Sequence, residues 1–170
     1  MGIAVSNIEV GHKEINGEFH WFPSSTGRVD LRFDIQNTSS KRIKYAVFYL
    51  VPYNAVYDIV GSEIGGIAEK GVKVTGPLEP NQIHEAYFEM VWFNNTIRSA
   101  NLTKVEIQYM DGTEETVQGS EVTSVSYPPK SSIDRFVDTI PGAIIICIIL
   151  PLAAIILLFV LISLLWSCAS

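Results

Sequence analysis

The stretch Ile140 to Trp166 reads IPGAIIICIILPLAAIILLFVLISLLW, and no charged residue occurs from Thr139 to Ser170. A bilayer core takes about 20 apolar residues of helix to cross, and Ala143 to Trp166 supplies 24. In lipid, backbone polar groups find partners only within the segment, so a single span of this kind must be helical. The sequence therefore predicts a single-pass transmembrane helix over 140–166, followed by a short tail, 167–170. Pro151 would kink that helix by deleting the hydrogen bond to the Cys147 carbonyl. Trp166 fits the aromatic belt at one interface. A juxtamembrane segment, 133–139, carries Ile133, Phe136 and Val137 on one side, which suits Phe136 to the headgroup boundary.

All 30 charged residues precede Thr139, and they give the chain its net charge of −6. That acidic balance argues against nucleic acid, because phosphate binding needs clustered Lys and Arg. It argues equally against anionic lipid as a ligand of the soluble part. The two cysteines, Cys147 and Cys168, both fall in or after the apolar stretch. The soluble part thus has no means of building a disulfide framework or a Cys-rich zinc site.

Before residue 122 the pattern is one of strands. Val29, Leu31, Phe33 and Ile35 alternate with Asp30, Arg32, Asp34 and Gln36, a half-buried strand with a solvated face. Ile43 to Tyr53 is apolar or aromatic on both faces, as in a central or covered strand. Shorter strands are expected at Asn54–Val60 and Gly71–Thr75, then aromatic-rich His84–Phe93 and Leu102–Met110. Asp111-Gly112 predicts a two-residue hairpin into Thr113–Val117. With an N-terminal strand near Ile3–Val10 the count reaches seven or eight. The expected fold is an all-β, immunoglobulin-like antiparallel β-sandwich over 1–121, joined to the helix through a Pro/Ser linker, 122–132.

Catalytic signals are absent from the pattern. His12, His20 and His84 are far apart in sequence and pair with nothing at metal-ligand spacing. Asp30 and Asp34 read as a solvated strand face. Gly66 and Gly71 have phosphate-loop spacing, but Val72 stands where Lys is needed. No enzyme, cofactor or metal is expected. Asn37, Asn94 and Asn101 each head an Asn-x-Ser/Thr triplet, which in a secreted eukaryotic chain would be a glycan candidate. The aromatic residues Tyr49, Tyr53, Trp92 and Phe93 are candidates for a docking row, against the alternative that they pack a core.

One resemblance spans the 70 residues from Lys44 to Thr113. It is carried by Lys44-Tyr45, by Pro52-Tyr53-Asn54-Ala55-Val56 with Asp58, and by Gly71 to Pro77 with Glu79-Pro80. Val91 to Ile97, Lys104 to Ile107 and Tyr109 to Thr113 complete it. In this order and spacing the chain resembles an uncharacterised family of small immunoglobulin-like domains from membrane-associated proteins of Gram-positive bacteria. The resemblance implies the fold and no activity. In that family the domain often follows a zinc ribbon and a membrane segment, which would place it outside the cell; here no zinc ribbon occurs and the apolar segment comes last.

With the apolar segment last and no signal peptide visible, the expected arrangement is a tail anchor with the sandwich in the cytoplasm. Lys130 and Arg135 on the sandwich side agree with positive-inside counting. The expected function is a non-catalytic protein-interaction module at the bilayer. Two alternatives stand beside it: an extracytoplasmic module that binds glycan or cell-wall material, and a small accessory subunit of a larger membrane complex.

Overall fold

The computed structural model describes residues 2–14, 18–20 and 24–128. Eight strands form two antiparallel four-stranded sheets, stacked as a β-sandwich. They are β1 (Ile3–Lys13), β2 (Phe19–His20), β3 (Arg28–Asn37), β4 (Ile43–Tyr53), β5 (Lys70–Leu78), β6 (Ile83–Phe93), β7 (Ser99–Tyr109) and β8 (Glu114–Gln118). The first sheet has the order β2-β1-β3-β6 and the second β5-β4-β7-β8. Among the described residues no helix is long and apolar enough to cross a membrane. The apolar stretch lies outside the described residues, and with it Phe136, Pro151 and Trp166.

Period-two alternation decides which side chains meet between the sheets. On β3, Val29, Leu31, Phe33 and Ile35 are all buried; on β4 the buried set is Ile43, Ala46, Phe48, Leu50 and Pro52. Phe33 and Phe48 meet across the sandwich with ring centroids 4.9 Å apart, and Phe33 also stacks on Phe88 at 5.9 Å. β4 lies between β5 and β7, which is why its outer row is also half-covered.

Two sequence expectations change. Asn54–Val60 is not a strand: Asn54 Oδ1 accepts from the N–H groups of Val56 and Asp58, and a single bridge joins Tyr53 to Ile59. An asparagine side chain that takes two backbone donors offers the chain a turn in place of a ladder. The β7–β8 connection is a three-residue loop and not a two-residue turn. Tyr109 N–H donates to Thr113 O, Gly112 N–H donates to Tyr109 O, and Gly112 sits at φ 85°. That combination is the bulged hairpin that follows a type I turn. Beyond residue 121, Ala4 bridges Thr123 in parallel, Val125 is buried, and Ser126 N–H donates to Gln36. The compact unit that holds the sandwich runs to Ser126.

The outer face of the first sheet corrects the reading of Asp30 as solvated. Its side chain is fully buried and takes five hydrogen bonds. Arg28 donates to both oxygens, Nε and Nη2 each at 2.8 Å; Tyr87 OH donates at 2.6 Å, Met90 N–H at 2.8 Å and Lys13 N–H at 3.0 Å. Met90 has φ 54°, where the β3–β6 register shifts between Val29 and Leu31. A non-glycine residue in that region is strained, and here it aims an N–H at the carboxylate. Burial opposes the charge, but Arg28, Tyr87 and the two amides outweigh it and hold Asp30 at about 2. Burial and the bond to Asp30 push the Tyr87 hydroxyl up to about 12.

Candidate functional site

The outer face of the second sheet is built from paired rows. Register places Thr75, Tyr45, Gln108 and Glu114 in one row across β5, β4, β7 and β8. Lys73, Val47, Glu106 and Thr116 form the next, and Gly71, Tyr49, Lys104 and Gln118 the third. These rows flank a shallow groove of about 410 Å³ lined by Tyr45, Val47, Lys73, Glu106, Gln108 and Thr116, with Ile107, Glu114 and Glu115 also contributing.

Its charges are ordered. Tyr49 OH donates to Glu106 Oε2 at 2.9 Å, and Lys104 Nζ donates to Glu106 Oε1 at 2.7 Å. The Lys104 bond, then the Tyr49 bond, draw the Glu106 carboxyl below its ordinary range. The same bond to Glu106 raises the Tyr49 hydroxyl. Lys104 Nζ lies 4.2 Å from the Tyr49 ring centroid, and Lys73 Nζ 3.6 Å from that of Tyr45. Gly71 allows the Tyr49 ring to lie over β5, because a Cβ there would stand 3.0 Å from Tyr49 Cε1. At the hairpin, Tyr109 OH donates to Glu115 at 2.5 Å. The groove lining holds Lys73 against Glu106, Glu114 and Glu115, and Lys104 of the flanking row pairs with Glu106, so the balance is slightly acidic and suits a basic surface.

The four aromatic candidates are not one row. Tyr49 and Tyr53 share the outer face of β4, both half-buried. Trp92 leaves the candidate set: it is fully buried, the largest side chain of the core, with its indole N–H donating to Ala68 O at 2.8 Å. Trp92 takes the core alternative: it and Phe93 are adjacent on a strand, and adjacent side chains point to opposite faces. Phe93 is half-buried and belongs to the first sheet, away from the groove. Sequence reasoning does not bring Tyr45, Lys73, Glu106 and Thr116 together. Their signal is cross-strand register, which a single strand's pattern does not carry.

Other candidates resolve differently. His12 and His20, distant in sequence, are register partners on β1 and β2 with rings stacked at 5.4 Å, near Glu14. Among the described residues no group of three or more His, Cys, Asp or Glu is placed to hold a metal ion. Asp30 resembles a catalytic acid in its burial, yet five donors occupy the two oxygens of a group with about four lone-pair sites. It has no acceptor capacity left for a substrate proton. Asn37 is fully buried, its amide donating to Lys41 O and Leu78 O, so it is no glycan acceptor in the folded domain.

The fold and face define an all-β sandwich protein with a mixed aromatic and acidic groove on one sheet. No protein-family model matches the chain, and no curated protein matches it. Among solved structures it is similar to one described as the structural characterization of IrmA from Escherichia coli. That likeness has 10% identity and a TM-score of 0.43, over 74% of this chain and 98% of the other. It is also similar to β-D-glucoside glucohydrolase from Trichoderma reesei, at 14% identity and TM-score 0.24, over 68% of this chain and 18% of that one.

Proposed function

We propose that this chain is a membrane-anchored, non-catalytic binding protein. Its sandwich, of immunoglobulin-like type, docks a protein partner with a basic surface along the groove of the second sheet. The observation that carries the reading is that groove: four strands wide, half-buried aromatics beside ordered carboxylates, with two lysines, Lys73 and Lys104, against three glutamates. The apolar segment 143–166 supports the anchor, since 24 uncharged residues suit a bilayer span.

Strand order supports the immunoglobulin-like assignment. With the two-residue β2 set aside, the seven long strands in chain order place the first, second and fifth in one sheet. The third, sixth and seventh share the other, as in the immunoglobulin fold, with the fourth strand, β5, moved to the edge beside the third. The glycan alternative is weaker on this face. A sugar would need an open ring face to stack on, and Tyr45 and Tyr49 each already hold a lysine ammonium.

The test uses tagged full-length chain extracted in mild detergent from the membranes of its own cells. Glu106→Lys with Glu114→Lys is expected to lose a co-purifying protein that the unaltered chain retains. Glu85→Lys, on an exposed position of the first sheet, is expected to retain it. Glu106 is half-buried and accepts bonds from Tyr49 and Lys104, so hydrogen exchange of the double variant, with the strands still protected, is the control for an intact fold. Equal recovery by all three proteins would remove the groove as the docking face.

A further inference from the structure

Eight large apolar side chains are well exposed among the described residues, and five of them fall in the β4–β5 connection, residues 54–69. Val56, Tyr57, Ile59, Ile64 and Ile67 are each between 55% and 80% exposed. Scattered exposed apolar residues are ordinary, whereas a cluster of this density marks a contact surface. The connection is held in place and not left to collapse on the core. Its base is tied to the end of β6: Glu63 N–H donates to Phe93 O at 2.7 Å, Phe93 N–H to Ser62 Oγ at 3.1 Å, and Asn94 Nδ2 to Gly61 O at 2.8 Å. Trp92 Nε1 fixes Ala68. Asn54 and Asp58 close the first turn, where Tyr57 sits at φ 64°. A backbone so constrained presents its apolar tips outward.

We infer that the 54–69 connection inserts its apolar tips into the headgroup boundary of the bilayer that anchors the chain, and so orients the sandwich on the membrane. The inference rests on the anchoring reading above. Two observations favour a bilayer over a second protein as the occupant. The last stretch of the sandwich, at Thr123, runs parallel to β1. β1 ends where β3 begins and β6 ends, the end of the sandwich that carries this connection. At Thr123 the chain therefore runs toward the connection's own end. The 13 residues from Tyr127 to Thr139, ahead of the apolar stretch, reach at most about 45 Å, more than the roughly 35 Å length of an eleven-residue strand. The tether is thus long enough for either end of the sandwich to meet the bilayer, and among the described residues only this end offers an apolar cluster. Asp58, Glu63 and Glu69 are the connection's charged residues and all are acidic, so the matching surface is zwitterionic and not anionic lipid.

The experiment uses full-length chain carrying Cys147→Ser and Cys168→Ser, reconstituted into phosphatidylcholine vesicles. An environment-sensitive fluorophore is attached through Ile64→Cys, or through Met110→Cys as the control. Met110 is 54% exposed and lies at the opposite end, in the β7–β8 loop. Vesicle flotation is read first, then quenching by a lipid-borne nitroxide. The expected result is flotation of both proteins, with quenching at position 64 several-fold greater than at position 110. Flotation with equal quenching, or with the larger quenching at 110, would overturn the insertion while leaving the anchor intact. Failure to float would overturn the anchoring reading itself, and this inference with it.

Discussion

Asp30→Ala is expected to destabilise the sandwich by about 3 kcal/mol, the lower end of the range for breaking a buried ion pair by removing one partner. The lower end applies because Arg28 keeps some contact with solvent, at 28% exposure. Tyr87 OH and the Met90 and Lys13 amides would each lose an acceptor, and Met90 would keep its strained φ of 54° with nothing to hold it there. Asp30→Asn preserves shape and one acceptor, so it should recover part of the loss and not all of it. Urea unfolding of residues 1–126 measures both. The acid dependence follows from the same site. The carboxyl is lowered from its ordinary 3.8 to about 2 on folding, so the unfolded chain takes up the proton first as pH falls. The contribution, on the order of 2 kcal/mol, is present in full above pH 3.8 and is lost as pH falls through about 2. The stability gap between unaltered protein and Asp30→Ala should therefore narrow between pH 6 and pH 2. A constant gap across that window would show that the carboxylate's charge is not what stabilises the site.

Trp92→Ala is expected to cost about 3–5 kcal/mol, the range for emptying a large aromatic site in a packed core. It would also release Ala68, and with it the fixed base of the 54–69 connection. Trp92→Phe separates the two effects: most of the core volume stays, and the lost N–H bond costs about 1 kcal/mol. Hydrogen exchange should then rise locally around residues 62–68 without global unfolding. The consequence for binding experiments is direct. Loss of a partner in Trp92→Ala would report a damaged core and not a removed contact, whereas Tyr45 and Glu106 substitutions act on the face itself.

Much of the sandwich is legible in the sequence because period-two alternation is a local signal. Val29 to Ile35 announces β3, and the double-sided apolar run announces β4 as a central strand, which β5 and β7 then flank. The Tyr45, Val47, Tyr49, Val51, Tyr53 alternation even marks one face of β4. What that pattern cannot supply is register between strands distant in sequence. Glu106 lies beside Val47 and Lys73 only because three strands align, and His12 meets His20 for the same reason. Asp30 was unreadable on different grounds. An aspartate on the polar side of an alternating strand looks solvated until Tyr87 and a bulge at Met90, some 60 residues away, close over it.

The central claim is that the groove of the second sheet is the face that meets a protein partner at the membrane. A photo-crosslinking residue placed at Val47, in the groove, tests it most directly against one placed at Asp34, on the first sheet, in unbroken membranes from the chain's own cells. The expected result is a discrete protein adduct from position 47, lost when Glu106 and Glu114 are changed to lysine, and none from position 34. An adduct from position 34 alone, or adducts from 47 that survive the charge reversal, would contradict the account.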